Sequence, residues 1–167
     1  MNSKQIVAAI SVIILIFIII YPSVSMGTVS VSLASARITT AEHVYVTIDS
    51  VWAHSTSEAV AGGWVLVSNQ SATVDLVSLE NSSRFLGSGQ IASGSYDSVR
   101  IQVSNVTWVF NKTSTTLSVT SPEIEGPLTF TVGAARATAI LITLSPQKEL
   151  IANSEYFTGT ITAVLTT

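Results

Sequence analysis

Residues Gln90–Phe110 read QIASGSYDSVRIQVSNVTWVF, and the phase of this stretch decides the fold. Val99, Ile101 and Val103 are apolar at odd positions, whereas Val106, Trp108 and Phe110 are apolar at even ones. Alternation with period two marks a strand with one buried face. A change of phase would throw the later apolar set into solvent unless the strand carries an extra residue. A β-bulge near Ser104–Asn105 supplies that residue, bends the strand and turns the Asn105 side chain outward. The stretch is expected as one long, bent, half-buried strand.

The flanking sequence repeats the strand signal. TVSVSLA (Thr28–Ala34) places Val29, Val31 and Leu33 on one face, and VYVTIDSVWA (Val44–Ala53) places Val44, Val46, Ile48 and Trp52 on one face. GWVLVS, ATVDLVSL, TTLSVTS, PLTFTVG, RATAILITLS and YFTGTITAVLTT follow, each rich in Val, Ile and Thr and bounded by Gly, Ser, Asn or Pro. Outside the N-terminus no segment holds an apolar period of 3.6 residues. The expectation is all-β: a single β-sandwich of about eight or nine strands, with Met26–Thr167 as one domain.

The N-terminus differs. Lys4 precedes an uncharged apolar run from Ile6 to Tyr21, and small residues follow at Ser23 and Ser25. A cationic start, a short apolar core and small residues describe a secretory signal cut near Ser25–Met26. The run is short for a membrane span of about 20 residues. Residues 1–25 are expected as a signal peptide or an N-terminal membrane-anchor helix, with the remainder extracellular at the cell surface and membrane contact through Ile6–Tyr21.

Composition narrows the class. The chain is 47% hydrophobic and only 10% charged, with a net charge of −3. That apolar content does not belong to a disordered tail, and a chain with no basic excess is a poor nucleic-acid ligand. With no cysteine there is neither disulfide framework nor thiolate nucleophile. Sequons stand at Asn69, Asn81, Asn105 and Asn111, on expected loops or outer faces. They are candidate N-glycosylation sites of an exported protein.

The order VYVTIDSVWAH, GGWVLVS, TVDLVSL, IASGSYDSVRIQV resembles domain-of-unknown-function family 4382 over roughly Gly27 to Ile142. The resemblance is carried by Val44–His54, Trp64, Asp75-Leu76 and Gly94-Ser95-Tyr96 before Arg100. The family has an Asp and a Pro after its first strand, where this chain has Ala34-Ser35-Ala36. The resemblance implies an exported archaeal or bacterial sandwich, transthyretin-like or immunoglobulin-like, with no established activity.

Groups able to do chemistry are sparse. His43 and His54 flank one expected strand, about 30 Å apart, too far to share a ligand. Asp49, Asp75 and Asp97 could meet at a sheet end around a hard cation, but nothing in their spacing resembles a calcium loop, and backbone bonds in turns explain Asp75 and Asp97 as well. Glu123 and Glu125 in SPEIEGP point one way from what reads as a loop. No nucleophile elbow or phosphate loop is present. Neither catalytic residues nor metal ligands nor a cofactor are expected.

Tyr96, two residues after Gly94, sits as a tyrosine corner would. Trp52 and Trp108 share apolar faces and are expected in the core, leaving Trp64 as the candidate exposed binding aromatic. Two functions compete for such a non-enzymatic surface protein. One is structural: a filament or coat subunit that self-associates, with Val29, Val31 and Leu33 as candidates for strand donation. The other is a membrane-anchored binding or adhesion module for glycans or another envelope protein.

Overall fold

A computed structural model describes residues 25–57, 63–151 and 154–166. Ten strands follow in order: β1 (Met26–Ser35), β2 (His43–Ser55), β3 (Trp64–Ser68), β4 (Ala72–Asp75), β5 (Arg84–Ala92), β6 (Gly94–Phe110), β7 (Thr113–Val119), β8 (Glu123–Val132), β9 (Ala137–Ile151) and β10 (Ser154–Thr166). A short 3-10 turn, Val77–Leu79, lies between β4 and β5. The N-terminal signal or anchor helix expected within residues 1–24 falls outside the described residues.

All ten strands belong to one hydrogen-bonded sheet. Its path runs β3-β2-β6-β7-β10-β9-β1-β5, with β4 added to β2 and β8 added to β6. Strand β6 is long enough to serve two partners: Gly94–Gln102 pairs with β8 and Val106–Phe110 with β7. The β7–β10 link is only two residue pairs, Tyr156↔Ser118 and Phe157↔Val119. The two ends of the path, β3 and β5, come together without pairing. A Cβ built on Gly89 of β5 would lie 2.1 Å from the Val67 carbonyl oxygen of β3, so glycine permits this approach. The all-β class holds; instead of two separate sheets, the strands form a nearly closed, barrel-like sheet.

The phase change in β6 is real. Thr47 pairs with Asn105 and Ile48 with Val103, which leaves Ser104 as the extra residue. One step later Asp49 is extra on β2, because Ser50 pairs with Gln102. The two bulges compensate, so both strands change face together. Val44, Val46 and Ile48 point inward before the bulge, and Val51 and Ala53 after it. This corrects the placement of Trp52: it lies on the outer face, half-buried, not in line with Val44, Val46 and Ile48.

The inward rows of β1, β2, β6 and β9 build the core, with Val29, Val31, Leu33, Ile101, Val103, Ile142 and Leu144 fully buried. Burying a Val or Leu side chain stabilises by about 1.5–3 kcal/mol each. Val29, Val31 and Leu33 therefore sit in the domain's own sheet, where β1 pairs antiparallel with β5 and parallel with β9.

Candidate binding surface

Strand β6 runs past the rim of the core. Its last residues pair with β7 and the start of β2, and the hairpin is closed by Asn111 and Lys112 at φ 49° and 60°. Two consecutive positive φ values make a two-residue primed turn, which twists with the strands, and Asn tolerates the left-handed region. The β1–β2 connection is fastened beside this end. Glu42 N donates to Val109 O at 2.8 Å, and Trp108 Nε1 donates to Thr40 O at 3.3 Å.

The result is an open groove of about 550 Å³ between Thr40, Trp108, Phe110 and residues Pro146–Glu149 of β9. That volume falls in the ordinary range for small-ligand sites. Trp108 is buried, as expected, and forms the floor. Phe110 departs from the parity reading: it is 53% exposed, at the last residue of β6 beside the Asn111-Lys112 turn. On the other wall Lys148 pairs with Glu155 at 2.7 Å, and Thr158 donates to Glu149 Oε1 at 3.3 Å.

Trp64 is occupied. The Arg100 guanidinium lies 3.8 Å from its ring centroid, and the His54 ring centroid stands 5.1 Å away. Arg100 also meets Glu123 Oε2 at 2.8 Å and Glu125 Oε2 at 3.7 Å. Glu123 and Glu125 thus lie on strand β8 opposite Arg100, and not on the loop expected from SPEIEGP. Trp52 Nε1 donates to Ser50 Oγ at 2.8 Å, and Ser50 donates to Gln102 Oε1 at 3.0 Å. The outer face of β3, β2, β6 and β8 is a cross-strand ladder of paired side chains, with Arg100 Nε the one group of Arg100 left without a partner.

The histidines stay apart, each with a carboxylate from another segment. His43 Nδ1 meets Asp75 Oδ2 at 2.8 Å, and His54 Nδ1 meets Asp97 Oδ1 at 2.8 Å. Asp75 also accepts from the Val44 and Val77 amides, as the turn reading anticipated. Asp97 is a partner of His54 instead, and Asp49 accepts from Ser71 Oγ. Among the described residues no three His, Asp or Glu side chains gather as metal ligands would.

Tyr96 is almost fully buried and donates to the Ala92 carbonyl, four residues back, at 2.7 Å. Its ring stacks on Phe130 at 5.1 Å. Burial pushes its phenol above the ordinary value of 10.0. This is the corner geometry, and it secures the β5–β6 turn. Asn69, Asn81, Asn105 and Asn111 are all exposed. Sequence reasoning missed Phe110 and the groove because its walls come from three segments far apart in the chain, with no motif shared among them.

The fold and its surface define an all-β domain with an aromatic groove and a cross-strand polar ladder. The family described as Domain of unknown function (DUF4382) matches residues 26–158, and the chain belongs to it. No curated protein and no solved structure matched.

Proposed function

We propose that the chain is an exported, non-catalytic cell-surface domain, held at the envelope through its N-terminal segment, that binds neutral envelope carbohydrate in its distal groove. One observation carries the reading: the groove and the N-terminal entry lie at opposite ends of β6. Ser25, where the described chain begins, accepts from the Ser93 amide at 2.7 Å, beside the start of β6. Phe110 and the groove lie at its other end, about 50 Å of strand contour away. A domain tethered at Ser25 would present the groove away from the membrane.

The chemistry supports a sugar. Phe110 offers an exposed ring to the C–H face of a pyranose, and Thr40 and Gln147 offer hydrogen-bonding groups. Lys148 already has its counter-ion in Glu155, so a charged ligand has little to gain there. Exposure of all four sequons agrees with export. Among the described residues no helix is long and apolar enough to cross a membrane; the candidate anchor, Ile6–Tyr21, lies outside them. Strand donation by Val29, Val31 and Leu33 is the weaker reading, because β1 is already bonded on both edges within its chain.

The test is a titration of the full-length chain in detergent with oligosaccharides released from the envelope of the cells that make it. Saturable binding, weakened tenfold or more by Phe110→Ser and unchanged by Trp64→Ala, is expected. Absence of saturable binding, or indifference to Phe110→Ser, overturns the reading.

A further inference from the structure

Strands β5, β1, β9 and β10 present a second outer face. In one cross-strand row Phe85 pairs with Ser32, Ser32 with Leu141, and Leu141 with Val164. Phe85 and Val164 are 58% and 53% exposed. The adjoining rows carry hydroxyl and small side chains, including Ser30 on one side and Thr143 on the other. Across Thr28–Ala34 of β1 and the residues paired with its outward positions, the face holds no charged side chain. The ladder of β2, β6 and β8, by contrast, holds His54, Asp97, Arg100, Glu123 and Glu125.

We infer that this face docks a second copy of the same chain, sheet against sheet. An apolar centre with a polar rim is the anatomy of a specific interface. The charge pattern selects the partner. An uncharged patch, with Arg84 at its β5 edge, offers little to recruit a charged protein and little to repel its own image. A two-fold axis lying between the two sheets, parallel to the Ser32–Leu141 row, lays the apolar row on itself. The same axis lays the Ser30 row over the Thr143 row, hydroxyl against hydroxyl, as an isologous contact requires. Four strands about 4.8 Å apart and some 25 Å long offer on the order of 500 Å² per copy. Two copies would bury on the order of 1,000 Å², the lower bound of a specific interface. Packing two sheets face to face at about 10 Å suits the small side chains of the rim. None of the four sequons lies on these strands. The inference does not depend on what the groove binds.

The chain has no cysteine, so an introduced one is the sole thiol. Ser32→Cys in the full-length chain, in membranes of its own cells, is treated with a short bismaleimide. The expected product is a species of twice the chain mass, reduced tenfold or more by adding Val164→Arg. Thr73→Cys, exposed on β4 in the other half of the sheet, should give no such species. A thermal melt checks that Val164→Arg folds; if it does not, Thr162→Arg, exposed beside it, takes its place. The inference is overturned by no product from Ser32→Cys, by equal product from Thr73→Cys, by a product containing a different protein, or by a product insensitive to the arginine.

Discussion

Tyr96 places one hydroxyl inside the core and satisfies it with the Ala92 carbonyl. Replacing it by Phe leaves that carbonyl without its donor, at about 1–3 kcal/mol, readable as a lower denaturant midpoint with unchanged slope. The phenol titrates higher in the folded state than in the unfolded one, because burial disfavours its anion. The unfolded chain therefore releases this proton first as pH rises. The stabilisation is complete below pH 10, is lost as pH climbs through the folded value, and should vanish from the pH profile of Tyr96→Phe. A second residue-scale test concerns Trp64 and Arg100. Their stacking predicts a coupling of about 1 kcal/mol in a double-mutant cycle of Trp64→Ala and Arg100→Ala. A coupling near zero would mean that Glu123 and Glu125 hold Arg100 without the ring.

At the scale of elements, the β3–β5 seam is the point where the barrel nearly closes. Gly89→Ala drives a Cβ into the Val67 carbonyl and should destabilise by about 1–3 kcal/mol. Ser88→Ala beside it, on the exposed side, should stay within about 0.5 kcal/mol. The β8–β10 seam uses the same device, since a Cβ on Gly126 would lie 2.7 Å from the Ile161 carbonyl oxygen. How much of this was legible follows from what alternation reports. A period of two fixes which side chains of a strand share a face, and a break in phase exposes a bulge. The β6 bulge was therefore readable at Ser104–Asn105. Its counterpart at Asp49 was not, because Trp52 is apolar and kept the old phase alive after Val51 and Ala53 had taken the new one. Glu123 reads as loop because Pro122 and Gly126 bracket it; its strand is imposed by pairing with β6, a tertiary effect. Partner choice is likewise silent in alternation. The parallel β1–β9 pair joins segments more than a hundred residues apart, and nothing local to either announces the other.

For the whole molecule, three regions stand apart. One pole receives the chain at Ser25, the opposite pole carries the groove, and the flank formed by β5, β1, β9 and β10 carries the uncharged patch around Ser32 and Leu141. Phe110→Ser should leave stability within about 0.5 kcal/mol, since the ring is exposed, while removing the groove's aromatic wall. A large loss of stability would reassign Phe110 to the core. Everything proposed about the groove depends on that pole facing outward from the cell. The direct measurement is Lys112→Cys, at the exposed Asn111-Lys112 turn beside Phe110, labelled on intact cells with a membrane-impermeant maleimide. Full labelling before lysis is expected. Labelling only after lysis would place the domain inside and contradict both the exported state and the surface role.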